Sequence, residues 1–128
     1  MGREENIAVV TRYTEAINKR DAEGFVSVFD ADSVWIDPMG YPACVGPEQI
    51  LRGIQGFWDA FPSLTLTPLR IIADGDMVVT EVACDVADAQ GKTAHIEAAD
   101  IFEIRDGKIV NCHAYSDPAW ISRQLADQ

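Results

Sequence analysis

The sequence changes texture at Pro62: before it apolar residues recur at three- and four-residue intervals, and after it they recur at two. A chain patterned this way lays helices against strands that follow one another directly, so it predicts an α+β fold with helices on one face of a curved, mostly antiparallel sheet. In the first part, Ile7, Val10, Tyr13, Ala16 and Ile17 stripe a helix from about Glu4 to Lys19. Asp21 is placed to cap a short second helix carrying Phe25, Val28 and Phe29, and "SVWID" reads as a brief strand that stops at the turn "DPMG". Gly46 and Pro47 open a third helix, whose stripe is Ile50, Leu51, Ile54, Phe57, Trp58 and Phe61.

Beyond Pro62, "LTLTPLRII" alternates until Pro68 shifts its phase, the mark of an edge strand or a bulge. "MVVTEVACDVA" and "KTAHIEAADIFEI" are long strands separated by "DAQG", and "RDGK" joins the second of them to "IVNCHAYS" as a tight hairpin. "PAWISRQLADQ" is a tail or one short helix. No long Pro, Gly or Ser tract and no repeat divides the chain, so residues 1–128 are expected to form a single domain. Three N-terminal helices half closing a curved sheet enclose a pocket.

Charge narrows the occupants of that pocket. A net charge of -11 repels phosphate backbones and anionic lipid, which argues against nucleic-acid and membrane partners and for small molecules or proteins. No apolar run approaches the roughly eighteen residues of a membrane span. "MGREENIAVV" is too charged for a signal peptide, and Asn6 stands where a myristoylation signal needs Ser or Thr; a cytoplasmic protein is expected. Cys44, Cys84 and Cys112 are odd in number without a C-x-x-C, so they read as buried reduced thiols. With His95 and His113 as the two histidines, no metal site is expected.

Polar groups in apolar company are then the leads to chemistry. In "HIEAADIFEI" the face formed by Ala94, Ile96, Ala98, Asp100, Phe102 and Ile104 is apolar except at Asp100. That carboxyl is either a structural group in a buried pair or at a bulge, or an acid kept protonated by its surroundings and able to donate a hydrogen bond. Asp37 either starts the turn with Pro38 or stands as a general base at a strand end over the pocket. Tyr13 lies on the buried stripe of the first helix, where its hydroxyl needs a partner from the core or from a ligand.

Together these residues, with "DADSVWIDP", "GPEQI", "ADIFEI" and "DGKIV", resemble the ketosteroid isomerases of the nuclear transport factor 2-like, or SnoaL-like, superfamily; the resemblance runs from about Val10 to Tyr115. It implies a cone-shaped α+β fold and a homodimer formed through the sheet. It also implies a cofactor-free isomerase that shifts a double bond in a β,γ-unsaturated, steroid-like ketone. By the resemblance Asp37 is the general base, while Tyr13 and protonated Asp100 form the oxyanion hole for a dienolate. Val34, Phe57, Phe61, Phe102 and Ala114 are the expected pocket walls. Phe29 and Ile54 occupy positions where some relatives carry supporting tyrosines, and Ser116 stands where an aromatic is expected.

Other chemistries of the superfamily ask for other residues. A polyketide-cyclase-like enzyme would use Asp100 ionised, as an acid/base in an aldol closure. A dehydratase wants a His-Asp pair, for which His113 is on the wrong strand face, and an epoxide hydrolase wants Asp-Arg-Asp, for which no arginine is convincingly buried. Glu81 reads as a solvated or interface residue. A non-catalytic binder of small molecules is the alternative from outside the enzymes.

Overall fold

A computed structural model describes residues 2–128. The chain runs α1 (Arg3–Lys19), α2 (Ala22–Ser27), β1 (Phe29–Ile36), β2 (Cys44–Val45), α3 (Gly46–Ala60), β3 (Ser63–Asp74), β4 (Met77–Ala87), β5 (Thr93–Arg105), β6 (Lys108–Tyr115) and α4 (Pro118–Ala126). Six strands form one sheet in the order β2-β1-β6-β5-β4-β3. All neighbours are antiparallel except β1 and β6, so the sheet is mixed, as a chain with one long return connection requires.

Local chemistry explains most of the boundaries. Asp21 caps α2 by accepting from the Gly24 N–H at 2.9 Å. Arg20 ends α1 in the left-handed region at φ 55°, and its guanidinium donates to the carbonyls of Trp58, at 2.8 Å, and Phe61, tying α1 to the end of α3. Asp106 and Gly107, both at positive φ, make the two-residue turn between β5 and β6. Pro68 lies on the edge strand, and the β3–β4 register shifts between Pro68 and Arg70.

Three details differ from the sequence reading. Phe29 begins β1 instead of continuing α2, because the chain must turn to reach the sheet, and β1 itself starts four residues before Ser33. The short β2 carries no alternation long enough to read. Simple alternation along "IVNCHAYS" puts Val110 in phase with Cys112 and Ala114, but in β6 a bulge sets Ile109 and Cys112 on the core side and Val110 off it.

The core lies between the helices and the inner sheet face. Phe25, wholly buried, stacks at centroid distances of 5.3 Å on Tyr13 and Phe29 and 5.8 Å on Trp35. Burial of each such ring contributes about 1.5–3 kcal/mol. Gly53 on α3 is required by this packing, since a β-carbon there would meet the Trp35 ring at 2.6 Å. α4 closes the far end in another way. β5 outruns β6, and the exposed edge at Thr93 and His95 is bonded by the side-chain amides of Gln128 and Gln124 instead of by a strand. Among the described residues no helix is long and apolar enough to cross a membrane.

Candidate active site

The inner sheet face and α3 enclose a cavity of about 80 Å³. Its walls are Ile54 and Phe57 from α3 and Phe61 just after it, Leu64 and Leu66 from β3, Val82, Cys84 and Val86 from β4, and Ile96, Ala98 and Asp100 from β5. Ile17, Ser116 and Ile121 complete it, and Asp37 enters from the end of β1. The strand residues are in step across the ladder, with Val82 opposite Ala98 and Cys84 opposite Ile96, because period two delivers every second side chain to one face.

The two aspartates reach this cavity from separate strands. Asp100 pairs across the ladder with Ala114 of β6, and Ile36, just before Asp37, pairs with His113, just before Ala114. Ala114 therefore stands as the small residue between the two carboxyl-bearing positions, which are two strand spacings or about 10 Å apart at the backbone. Among the described residues neither carboxyl gains a compensating cation or hydrogen bond. Burial alone pushes Asp37 up to about 6. Burial, reinforced by the charge of Asp37, pushes Asp100 up to about 8. At neutral pH the first is mostly a carboxylate and the second mostly an acid.

Tyr13 stands one layer behind the wall, 1% exposed. Its hydroxyl accepts a 3.0 Å hydrogen bond from the Trp35 indole N–H, and the Cys112 sulfur lies 4.0 Å away. Having accepted from Trp35, the phenol retains its own proton to give. Burial raises its pKa well above the ordinary value, and the charges of Cys112, Asp100 and Asp37 add to this, so the proton is firmly held. Phe29 approaches the same ring edge-on at 6.1 Å and carries no hydroxyl; Trp35 supplies the support that a neighbouring tyrosine would otherwise give.

Of the expected wall residues, Phe57 and Phe61 line the cavity and three do not. Phe102 is in the core, 5.0 Å from the Tyr13 ring centroid, because the strand runs from the open cavity toward the packed aromatic cluster as it passes Asp100. Ala114 is buried in the floor between the aspartates. Val34 points to the other face of β1 from Trp35, opposite Val45 of β2. Two further walls, Ile96 and Ala98, lie four and two residues before Asp100 on the same inward face of β5. Trp35 as partner of Tyr13 had no local signal.

The remaining polar groups lie elsewhere. His95 and Asp85 form a 2.7 Å pair, but it is exposed on the outer face, where Asp85 holds the imidazole pKa up. Glu81 pairs with Arg70 at 3.0 Å on the surface. No arginine lines the cavity, and neither histidine does. Among the described residues no cluster of three His, Cys, Asp or Glu is arranged to hold a metal ion, and Cys44, Cys84 and Cys112 are free, Cys112 alone fully buried.

Residues 10–112 match the family model described as a SnoaL-like domain. Among solved structures, an NTF2-like protein of unknown function from Burkholderia pseudomallei K96243 superposes with a TM-score of 0.87 at 21% identity, covering 98% of each chain. A protein provisionally assigned as a polyketide cyclase, from Xanthomonas campestris pv. campestris, gives a TM-score of 0.86 at 22% identity over 95% of this chain and 98% of that one. An LEH-like epoxide hydrolase of M. tuberculosis gives 0.83 at 20% identity over 98% and 92%. At such identities the likeness establishes the fold, helices packed on a curved mixed sheet, and not the reaction. No curated protein matches the sequence.

Proposed function

Because the chain belongs to the SnoaL-like domain family, whose fold hosts several chemistries, we propose from its own residues that it is an isomerase moving a proton between two carbons of a β,γ-unsaturated ketone. The observation that carries this is the split pair of carboxyls: two unpaired aspartates in one apolar cavity, one raised to about 6 and the other to about 8. Asp37 takes a proton from the carbon next to the carbonyl. The electron pair moves onto the carbonyl oxygen to give a dienolate, and the same proton returns at the γ carbon, so nothing is oxidised and Asp37 is regenerated. Protonated Asp100 donates a hydrogen bond to the oxygen as it gains charge, and Tyr13, whose hydroxyl lies behind the cavity wall against Trp35, supplies the second donor by moving forward to meet that oxygen. No cofactor enters the scheme; a homodimer working in the cytoplasm completes the proposal.

Incubating the protein with a 5-ene-3-ketosteroid is expected to produce the absorbance of the conjugated enone. An unchanged spectrum would remove the isomerase reading. Tyr13→Phe is expected to lower kcat by about 10²-fold, the cost of losing one oxyanion donor. An undiminished rate in that variant would return Tyr13 to the core.

A polyketide-cyclase-like aldol closure is the second reading, favoured by the provisional cyclase assignment of the Xanthomonas protein. In that reading ionised Asp100 is the acid/base catalyst. The two differ in pH dependence: the isomerase loses activity as pH rises through about 8, and the cyclase gains it.

A further inference from the structure

Across the sheet from β1 to β3 one row of residues lies in register. Ile36 pairs with His113, so Asp37 and Ala114 follow side by side; Ala114 pairs with Asp100, Asp100 with Thr80, and Thr80 with Ile71. Direct partners on antiparallel strands share a face, with β-carbons about 4.5–5.5 Å apart, so the Thr80 side chain lies beside the Asp100 carboxyl on the side away from Asp37. Thr80 is 1% exposed, and its neighbours on that face of β4 are Val78 and Val82, both buried. A third valine would fill the same space. Threonine adds a hydroxyl, and a buried hydroxyl without a partner is costly.

Thr80 also borders a cleft of about 200 Å³ between α1 and β3. The other neutral polar side chains of that cleft are committed: Thr11 donates to the Ile7 carbonyl at 3.0 Å, Thr14 to that of Val10 at 3.2 Å, and Asn18 bonds both the N–H and the carbonyl of Leu66. Glu15 is exposed at the rim. Among the described residues the Thr80 hydroxyl bonds none, and rotation about its Cα–Cβ bond carries it between the cleft and the carboxyl. The titratable groups that share the surroundings of Asp100 are Asp37 at the end of β1, Tyr13 on α1, Cys84 on β4 and Cys112 on β6. β3, α3 and α4 turn no titratable side chain into the cavity. On the β4 side Thr80 is thus the cross-strand donor that Asp100 faces.

We infer that Thr80 is a positioning residue for Asp100: its hydroxyl donates to the carboxyl oxygen on the β4 side and so leaves the proton on the other oxygen, the one turned toward Asp37 and the substrate; this rests on the isomerase reading. A carboxylic acid can carry its proton on either oxygen, and only one of the two placements aims a donor at an enolate lying between the aspartates. Holding that placement before the substrate arrives removes a reorganisation that a free acid would undergo as charge develops.

The test is the titration of the Asp100 carboxyl, followed by NMR in the wild type, Thr80→Val and Thr80→Ser, its signal identified by its loss in Asp100→Asn. A hydroxyl that donates to a carboxyl favours the ionised form, so its removal in Thr80→Val is expected to move the midpoint upward by about one pH unit. Serine keeps the donor and is expected to hold the wild-type midpoint. Thr80→Ala removes the same hydroxyl without crowding the core, and is expected to move the midpoint in the same direction as valine. A midpoint that does not rise, as when the hydroxyl serves only water in the cleft, or one that rises as far in Thr80→Ser, overturns the inference. On a β,γ-unsaturated ketone, Thr80→Val is expected to lower kcat about tenfold with KM little changed, the scale of one neutral hydrogen bond, and Thr80→Ser to retain the rate. A loss that serine shares in full also overturns it. The titration reads no turnover, so a protein whose midpoint responds to Thr80 but which converts no enone would sink the isomerase reading and leave the Thr80–Asp100 hydrogen bond standing.

Discussion

Asp37→Asn is expected to lower kcat on a β,γ-unsaturated ketone by about 10²–10⁴-fold, the range attributed to a positioned general base. The amide has nearly the volume of the carboxylate and cannot take up the proton, so the substitution removes the chemistry and little of the shape. The pH dependence sharpens this expectation. Asp37 must be ionised to act, so kcat/KM rises with pH through about 6, where its burial has moved it. Asp100 must keep its proton to donate, so kcat/KM falls again through about 8. The charge of Asp37 is itself part of what raises Asp100, so the two limbs are properties of the pair. In Asp37→Asn the acid limb is expected to vanish from whatever rate remains. Near-wild-type turnover in that variant, or a profile that only rises through 8, would move the base to Asp100 and support the cyclase reading.

The position of Asp100 was legible from the sequence because β5 is a long, regular antiparallel strand. Thirteen residues of alternation leave one register in which the apolar set is inward, and a one-residue slip would expose all of it. The same regularity made β4 readable from Met77 to Ala87. Alternation tells which face a residue takes, and it is silent about how far along the strand the cavity extends. Phe102 and Ala98 are equally inward, two residues either side of Asp100, yet Phe102 is packed against Tyr13 and Ala98 lines the open space. The difference is made by α1 and the aromatic cluster, which fill one end of the cone and leave the other hollow.

Contacts distant in sequence were hidden for the same reason. The Trp35–Tyr13 hydrogen bond spans 22 residues and joins a strand to a helix whose stripes look alike as core. α4 reaches the cavity through Ile121 by way of glutamines that bond the unpaired edge of β5, a role that their polarity does not announce. The bulge at Val110 reverses the facing of a residue without leaving a glycine or proline as a marker. In each instance local preference is satisfied by more than one arrangement, and tertiary packing selects among them.

Asp100→Asn is expected to stabilise the protein, by a margin that grows with pH. In the unfolded chain Asp100 titrates near its ordinary 3.8, and in the folded protein near 8. Below the first value both states hold the proton and the carboxyl contributes no penalty. Between the two, the unfolded chain has released its proton and the native state has not, so native stability falls by about 1.4 kcal/mol for each pH unit. Above about 8 both states are ionised and the loss is complete, on the order of 5 kcal/mol from this one group. Asparagine does not titrate. The stability difference between variant and wild type, measured by urea denaturation near pH 4 and again near pH 8, is therefore expected to widen by about 5 kcal/mol in favour of the variant. A difference that stays constant across that range would mean that Asp100 ionises normally and has no proton to offer an enolate. Because the amide still donates a hydrogen bond, the same variant is expected to keep more of its isomerase rate than Asp37→Asn. Gain of stability with partial loss of turnover is what a carboxyl retained for catalysis produces, and a purely structural aspartate, held by partners, would give the opposite sign on stability.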